Sequence, residues 1–175
     1  MRLCAWLLIS LLTSACARQQ ASERLTVATL QTFLQTLGYS PEPGPQSGLP
    51  YLIPPGVSGA PLPIAVTLSP GDDEVLVFSS LPDVGDASRI PPDVSLALLS
   101  ENDSTGPVHF SFDAESNRFT LSLAFTNGGV TPAHFRNQLA YFIETLNRTA
   151  RIWDPLKWQT PPTTKEHAGA VHQPA

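Results

Sequence analysis

Three residues with the side chains of a serine hydrolase alternate in one short segment: His109, Ser111 and Asp113. A histidine that deprotonates a serine, and a carboxylate that orients the histidine, would together support nucleophilic catalysis. If this segment is a strand, however, its same-face side chains stand about 7 Å apart, whereas a general base must lie about 3 Å from its nucleophile. The sequence also has no G-x-S-x-G nucleophile elbow. We therefore predict a solvated polar strand face, with no catalytic residue and no enzyme activity.

The histidines and acidic residues are the next candidates, as metal ligands. No two histidines stand at i, i+4 on a helix and no Cys-x-x-Cys motif is present; the histidines are His109, His134, His167 and His172. The acidic run Asp72-Asp73-Glu74 falls in a predicted hairpin turn, where acidic residues are common, and it lacks the ligand spacing of an EF-hand loop. We predict no metal site and no cofactor.

Length and charge limit the classes of partner. The chain has 175 residues and a net charge of -5, and no basic run could neutralise a nucleic-acid backbone. After removal of a leader, one hydrophobic core remains, so a single domain is expected. The 18 prolines cluster between residues 41 and 63 and between 155 and 174, which indicates loops and a terminal tail.

The N-terminus reads as an export signal over residues 1–17. Arg2 precedes an apolar run of about ten residues, too short for a helix that spans a bilayer core of ~30 Å. Ala15-Cys16-Ala17 fits an ordinary signal-peptidase site, which would release a soluble protein that begins at Arg18. Residues 12–16 also resemble a bacterial lipobox, in which Cys16 would carry the lipid, and we favour this alternative. Either reading predicts a periplasmic or membrane-anchored location.

Apolar periodicity then predicts one α+β domain over residues 24–153. Helical spacing marks a first helix after Thr26, a middle helix after Pro91-Pro92 and a longest helix after Thr131-Pro132. Period-two alternation marks hairpins over residues 62–79 and 108–126, and residues 49–53 read as an edge strand because prolines flank it. The predicted fold is an antiparallel sheet of four to five strands covered by two long helices, in the order α-β(2-3)-α-ββ-α, with a disordered tail over residues 154–175.

Aromatic residues divide into two groups. The phenylalanines fit the buried faces of the predicted elements: Phe110, Phe112, Phe119, Phe125, Phe135 and Phe142. Trp153 and Trp158 lie beyond the last long helix among polar residues, so each either covers an open edge of the domain or anchors a partner. We favour the intramolecular cover, because a small domain gains much from burying an indole.

Several segments resemble the type III secretion chaperone-like fold, especially its YbjN-type branch. They are residues 25–39 ending in Leu-Gly-Tyr, Leu99-Ser100-Glu101-Asn102, residues 108–113, residues 118–125, residues 139–146 and Trp153. The resemblance implies a compact and often dimeric domain that holds a segment of another polypeptide. It also implies that Asn102 fixes the turn after the middle helix by a side-chain hydrogen bond.

The function expected from this sequence is therefore binding. We predict a non-enzymatic adaptor or chaperone-like domain, exported to the bacterial envelope, whose partner is another protein or a second copy of the chain. Membrane contact is expected only through a lipid at Cys16. The alternative is a structural envelope lipoprotein, and a hydrolase is the third possibility.

Overall fold

The computed structural model describes residues 24–44, 51–56 and 59–158. The predicted signal segment, with Cys16, and the predicted tail from residue 159 onward lie outside the described residues. The elements run in the order α1 (Val27–Thr36), β1 (Glu42–Pro43), β2 (Tyr51–Ile53), β3 (Ile64–Leu68), β4 (Glu74–Asp83), α2 (Pro92–Ser104), β5 (Val108–Asp113), β6 (Arg118–Thr126), α3 (Pro132–Arg148) and α4 (Ala150–Trp153). None of the described helices is long and apolar enough to cross a membrane.

The helices begin where the capping residues predict. The Thr26 side chain accepts a hydrogen bond from the Thr29 N–H, and the Thr29 hydroxyl oxygen accepts one from the Thr26 N–H. Thr131 accepts from the N–H of His134 at the start of α3, and Pro132 follows at the first helical position. Gly38 ends α1 with a φ of 90°, a conformation that glycine adopts without strain.

All strands belong to one antiparallel sheet in the order β1-β2-β3-β4-β6-β5. The predicted α+β class is confirmed, but the described part of the chain contributes six strands to the sheet and not four to five. The difference arises in the proline-rich segment, where Glu42 pairs with Leu52 and Pro43 with Tyr51. The prediction that residues 49–53 form an edge was wrong, because Pro43, which lacks an N–H, takes that outermost position instead.

The core lies on one face of the sheet. Alternate residues of the central strands are buried there, among them Val66, Val77 and Leu123, and α1 and α3 cover them. Leu34 and Phe135 have no exposed surface, and the Phe33 ring meets the Phe135 ring edge-on at 5.5 Å between centroids. The opposite face carries a cross-strand row of Leu52, Ala65, Phe78, Ser122 and His109.

The domain continues past its predicted boundary at residue 153. Residues Pro155–Lys157 form a short 3₁₀ turn that Asp154 caps, and the Trp158 indole is partly buried against the core. Residues 154–158 therefore belong to the domain and not to the predicted tail, whose other residues lie outside the described part of the chain. The prolines of this segment exclude a continuing helix, yet they allow a tight turn that returns an aromatic ring to the domain.

Candidate functional site

An apolar groove lies between helix α2 and the edge strand β5. It has a volume of about 230 Å³, and its walls include Ile90, Leu98, Leu99, Phe110, Phe112 and Phe119. Leu99 is 61% exposed and Phe112 is 37% exposed, so two large apolar side chains form the rim. Leu96, one turn before Leu99, is 67% exposed and extends the apolar surface along α2. Clustered apolar exposure of this kind is typical of a binding surface.

Local sequence explains why the groove is open. Helix α2 buries Val94 and Leu98 on one side, while Leu96 and Leu99 fall on the outward side because a helix turns 100° per residue. On β5, Val108 and Phe110 are buried, but Phe112 lies near the strand end and is covered only in part. The Phe112 ring contacts the Phe119 ring at 4.9 Å between centroids. The prediction that Phe112 belongs to the buried core was therefore wrong.

Asn102 holds the C-terminal part of α2 against β5. Its Oδ1 accepts a hydrogen bond from the Phe110 N–H at 2.6 Å, and its Nδ2 donates to the Phe110 carbonyl at 3.0 Å. The resemblance implies that this side chain fixes the turn directly after the helix. It bonds instead to a strand residue eight positions along the chain, because the turn returns β5 alongside the helix.

Two further contacts hold α2 from the side of α3. The Tyr141 hydroxyl donates to the Thr105 carbonyl at 2.8 Å, and Arg148 forms an ion pair with Glu101 at 2.8 Å. Glu101 is well shielded, since its side chain is 17% exposed. Helix α2, which forms one wall of the groove, is therefore held in place by hydrogen bonds to β5 on one side and by contacts with α3 on the other.

The three hydrolase-like residues do not assemble into a catalytic arrangement. His109, Ser111 and Asp113 are all exposed, and they alternate along β5 as predicted. Asp113 accepts hydrogen bonds from the Ser116 hydroxyl at 2.6 Å and from the Glu115 N–H at 2.9 Å. These hydrogen bonds lower the pKa of the Asp113 carboxyl below its ordinary value, and the bond from Ser116 has the largest effect. The carboxylate thus accepts hydrogen bonds within the β5–β6 turn and does not orient His109.

The residues considered for metal binding are dispersed. Within residues 24–44, 51–56 and 59–158, no three His, Cys, Asp or Glu side chains lie where they could hold a metal ion. Asp73 forms an ion pair with Arg24 at 2.8 Å, and Asp72 occupies the β3–β4 turn with a φ of 53°. His167 and His172 lie outside the described residues.

Both late tryptophans turn toward the domain. Trp153 is 4% exposed, and its indole N–H donates to the Leu146 carbonyl at 3.0 Å. The Trp158 indole N–H donates to the Ile152 carbonyl at 2.8 Å, and its ring packs partly against the core. Leu156 between them is 95% exposed. In this arrangement Trp153 lies inside the domain, and Trp158 is partly covered by it.

Comparison with known proteins connects this architecture to a group of solved structures. No protein-family model matches the sequence, and no curated protein matches it. Several solved structures do match in three dimensions. The HopA1-SchA chaperone-effector complex matches at 12% identity and a TM-score of 0.52, over 69% of this chain and 89% of the other. The fold is that of the type III secretion chaperones.

Two other structures support the same assignment of fold. The ExoU-SpcU complex from the type III secretion system of Pseudomonas aeruginosa matches at 19% identity and a TM-score of 0.53, over 72% of this chain and 98% of that one. YbjN from E. coli matches at 14% identity and a TM-score of 0.50, over 73% and 94%. The predicted resemblance to the chaperone-like, YbjN-type fold is confirmed. At these identities the likeness establishes the fold.

Sequence reasoning did not identify the groove as a site. A signal was present, because leucines at 96, 98 and 99 place apolar side chains around more of α2 than one buried face requires. What the pattern lacked was the position of β5, which supplies the opposite wall.

Proposed function

We propose that this chain is a non-enzymatic, chaperone-like binding domain that takes an apolar segment of another polypeptide into the α2–β5 groove. The observation that carries the proposal is the pair of exposed apolar side chains, Leu99 and Phe112, at the rim of a preformed cavity. The fold supports it, since the solved structures that share this fold include a chaperone-effector complex.

The chemistry of the groove favours an uncharged, apolar ligand. Its walls carry no charged side chain, and its polar members are Ser95, Asn102 and Ser111. Asn102 is already engaged with Phe110. Full burial of one leucine side chain contributes roughly 1.5–3 kcal/mol, which is about tenfold or more in affinity. A partner segment with one or two large apolar side chains would gain most of its binding free energy here.

Site-specific photocrosslinking tests the proposal. A photoreactive phenylalanine analogue is placed at Leu99 in the full chain expressed in its native host, and crosslinked products are separated by mass. The matched control carries the analogue at Leu156, a leucine that is more exposed and does not line the groove. We expect a discrete adduct from position 99 and none from position 156.

A substitution at the rim of the groove provides a second test. Leu99→Asp places a charge at the rim, and we expect at least tenfold weaker binding of the crosslinked partner once it is purified, with unchanged circular dichroism. Equal adducts from positions 99 and 156, or full binding by Leu99→Asp, would exclude the groove as the binding site.

We also propose that the domain acts in the bacterial envelope, either released after Ala17 or anchored through a lipid on Cys16. The sequence pattern of residues 1–17 supports this proposal. Intact mass of the mature protein from the native host, beside a Cys16→Ser variant, separates the two forms. Acyl mass on Cys16 that is lost in the variant identifies the lipoprotein, and a mass beginning at Arg18 identifies the released form. A mass that retains Met1 contradicts export.

The structural envelope lipoprotein remains the alternative proposal. The cross-strand row of Leu52, Ala65 and Phe78 on the outer sheet face supports it, because a static neighbour could pack there. A photoreactive analogue at Ser80, which is exposed on that same face, distinguishes the two. Adducts from Ser80 and none from Leu99 favour the structural role.

A further inference from the structure

The outer edge of β5 is where another chain would most readily extend the sheet. In an antiparallel sheet, one residue directs its N–H and its carbonyl toward a given neighbouring strand, and the next residue directs both groups away from that strand. Strand β5 is last in the sheet order, and among the described strands it pairs with β6 alone. Phe110 uses its N–H and its carbonyl on the side away from β6, so Val108 and Phe112, two residues to either side, face the same edge. An open edge of this kind is a template for strand addition.

Asn102 near the end of α2 and Thr105 just after it fill two of these three edge positions. The carboxamide of Asn102 offers the same donor and acceptor pair as a peptide group, and both of its atoms bond to Phe110. Next along the edge, the Thr105 carbonyl accepts from the Val108 N–H at 3.3 Å, and the Thr105 hydroxyl lies 2.7 Å from the Val108 carbonyl. Asn102 and Thr105 thus stand where a partner strand would have placed its backbone.

The opposite edge of the sheet is closed in a different way. Strand β1 has two residues, and one of them is Pro43, which has no N–H to donate. Short edge strands and prolines are established means by which natural sheets avoid pairing with other chains. Both edges of this sheet therefore resist extension, although only the β5 edge is long enough to template a strand.

We propose that Asn102 closes the β5 edge and thereby excludes recognition of a partner by strand addition at this edge. If the groove binds a polypeptide, as the proposed function states, that polypeptide must then be recognised through its side chains. This consequence rests on the proposed function. Phe112 is the remaining edge-facing residue, and no side chain of the described part of the chain bonds to its backbone groups. Pairing at one residue does not hold a strand, so the closure at Phe110 is decisive.

Asn102→Ala tests the closure in the purified mature chain without any partner. Two measurements are made, namely amide hydrogen exchange at Phe110 and the concentration dependence of the weight-average mass in sedimentation. Asn137→Ala is the control, an exposed asparagine on α3. We expect exchange at Phe110 to rise about tenfold or more in Asn102→Ala alone. We also expect self-association beyond that of the wild type, reversed by adding Ser111→Lys, because a lysine on an edge strand opposes pairing.

Two results would overturn the proposal. Unchanged exchange at Phe110 would show that Asn102 does not protect the edge, and fast exchange with wild-type sedimentation would show that an open edge is not used. If Asn102→Ala does not fold, Asn102→Leu replaces it, since leucine has about the same side-chain volume and has neither the donor nor the acceptor of the carboxamide. Association equal to wild type in that variant also rejects the closure. A failed crosslink at Leu99 leaves these results unaffected, so the two proposals fail separately.

Discussion

Two asparagine side chains bond in the manner of backbone groups, and each joins segments that are separate in sequence. Asn102 does so at the β5 edge, and Asn127 does so at the other end of the sheet. Asn127 is fully buried, and its Nδ2 donates to the carbonyls of Leu25 and Asp72, both at 2.8 Å. Its Oδ1 accepts from the Leu25 N–H at 3.1 Å. One side chain therefore ties the start of the domain to the β3–β4 turn.

Replacement of Asn127 by alanine should destabilise the domain. The change leaves the Leu25 N–H and two carbonyls without their partner at a buried site, and we expect a loss of about 2 to 4 kcal/mol in the free energy of unfolding. Urea denaturation followed by tryptophan fluorescence measures it. Asn137→Ala, at an exposed position, should change the free energy by less than about 0.5 kcal/mol. Equal stability of the two variants would contradict this role of Asn127.

The Asp113 carboxyl provides a prediction about pH. Because hydrogen bonds from Ser116 and Glu115 lower its pKa, the ionised form contributes stability above the ordinary pKa of aspartate, and that contribution is lost as the pH falls through the lowered value. A titration of side-chain carboxyl chemical shifts should place the pKa of Asp113 below 3.8. Ser116→Ala should raise it toward that value, whereas Ser100→Ala on α2 should not move it. A Ser116→Ala pKa equal to wild type would contradict the assigned cause.

Among the elements, α1 and α2 differ in how they contribute to the molecule. Helix α1 buries Leu30 and Leu34 almost completely against the sheet. Helix α2 buries Val94 and Leu98, exposes Leu96 and Leu99, and depends on bonds from Asn102, Thr105 and Glu101 to keep its place. A helix with this division can present an apolar surface without losing its position.

The contrast between the two helices is measurable. Leu34→Ala should cost about 2 to 5 kcal/mol in the free energy of unfolding, because the side chain has no exposed surface and its removal leaves a cavity. Leu96→Ala makes the same chemical change at a residue that is 67% exposed, and it should cost less than about 0.5 kcal/mol. Chemical denaturation of the two variants in parallel tests this expectation, and a large loss in Leu96→Ala would argue against an exposed α2 surface.

At the scale of the whole molecule, the C-terminal segment is held to the same core as the sheet. Helix α4 packs against both α2 and α3, and the turn that follows it returns Trp158 to the surface of the core. Trp153 is 4% exposed, and its indole N–H donates to the Leu146 carbonyl. We therefore expect this segment to unfold together with the rest of the domain.

Truncation locates the end of that unit. A chain that ends at Trp158 should unfold at the same denaturant concentration as the full mature chain, since the polar, proline-rich sequence after residue 158 predicts a tail without packed surface. A chain that ends at Asp154 loses the indole of Trp158 and its bond to Ile152, and we expect its free energy of unfolding to fall by about 1 to 3 kcal/mol. Equal loss in both truncations would show that residues beyond 158 contribute to stability.

Much of the secondary structure could be read from local pattern. Alternation in residues 64–68 and 118–125 predicted strands with one buried face, and the capping residues Thr26 and Thr131 predicted helix starts that the structure has. The predicted α+β class followed from these elements, because hairpins with one apolar face need helices to cover them. Such features depend on neighbours within a few residues, so the sequence by itself determined them.

Tertiary structure alone decided the features on which the proposed function rests. The placement of β6 between β4 and β5, the pairing of Asn102 with Phe110 and the bond of Asn127 to Leu25 across 102 residues all join segments with no shared local pattern. Strand order and side-chain pairing depend on which distant surfaces meet in the packed chain, and a period-two or 3.6 repeat does not encode that choice. The groove and the closed edge exist only because the end of α2 comes to rest beside β5.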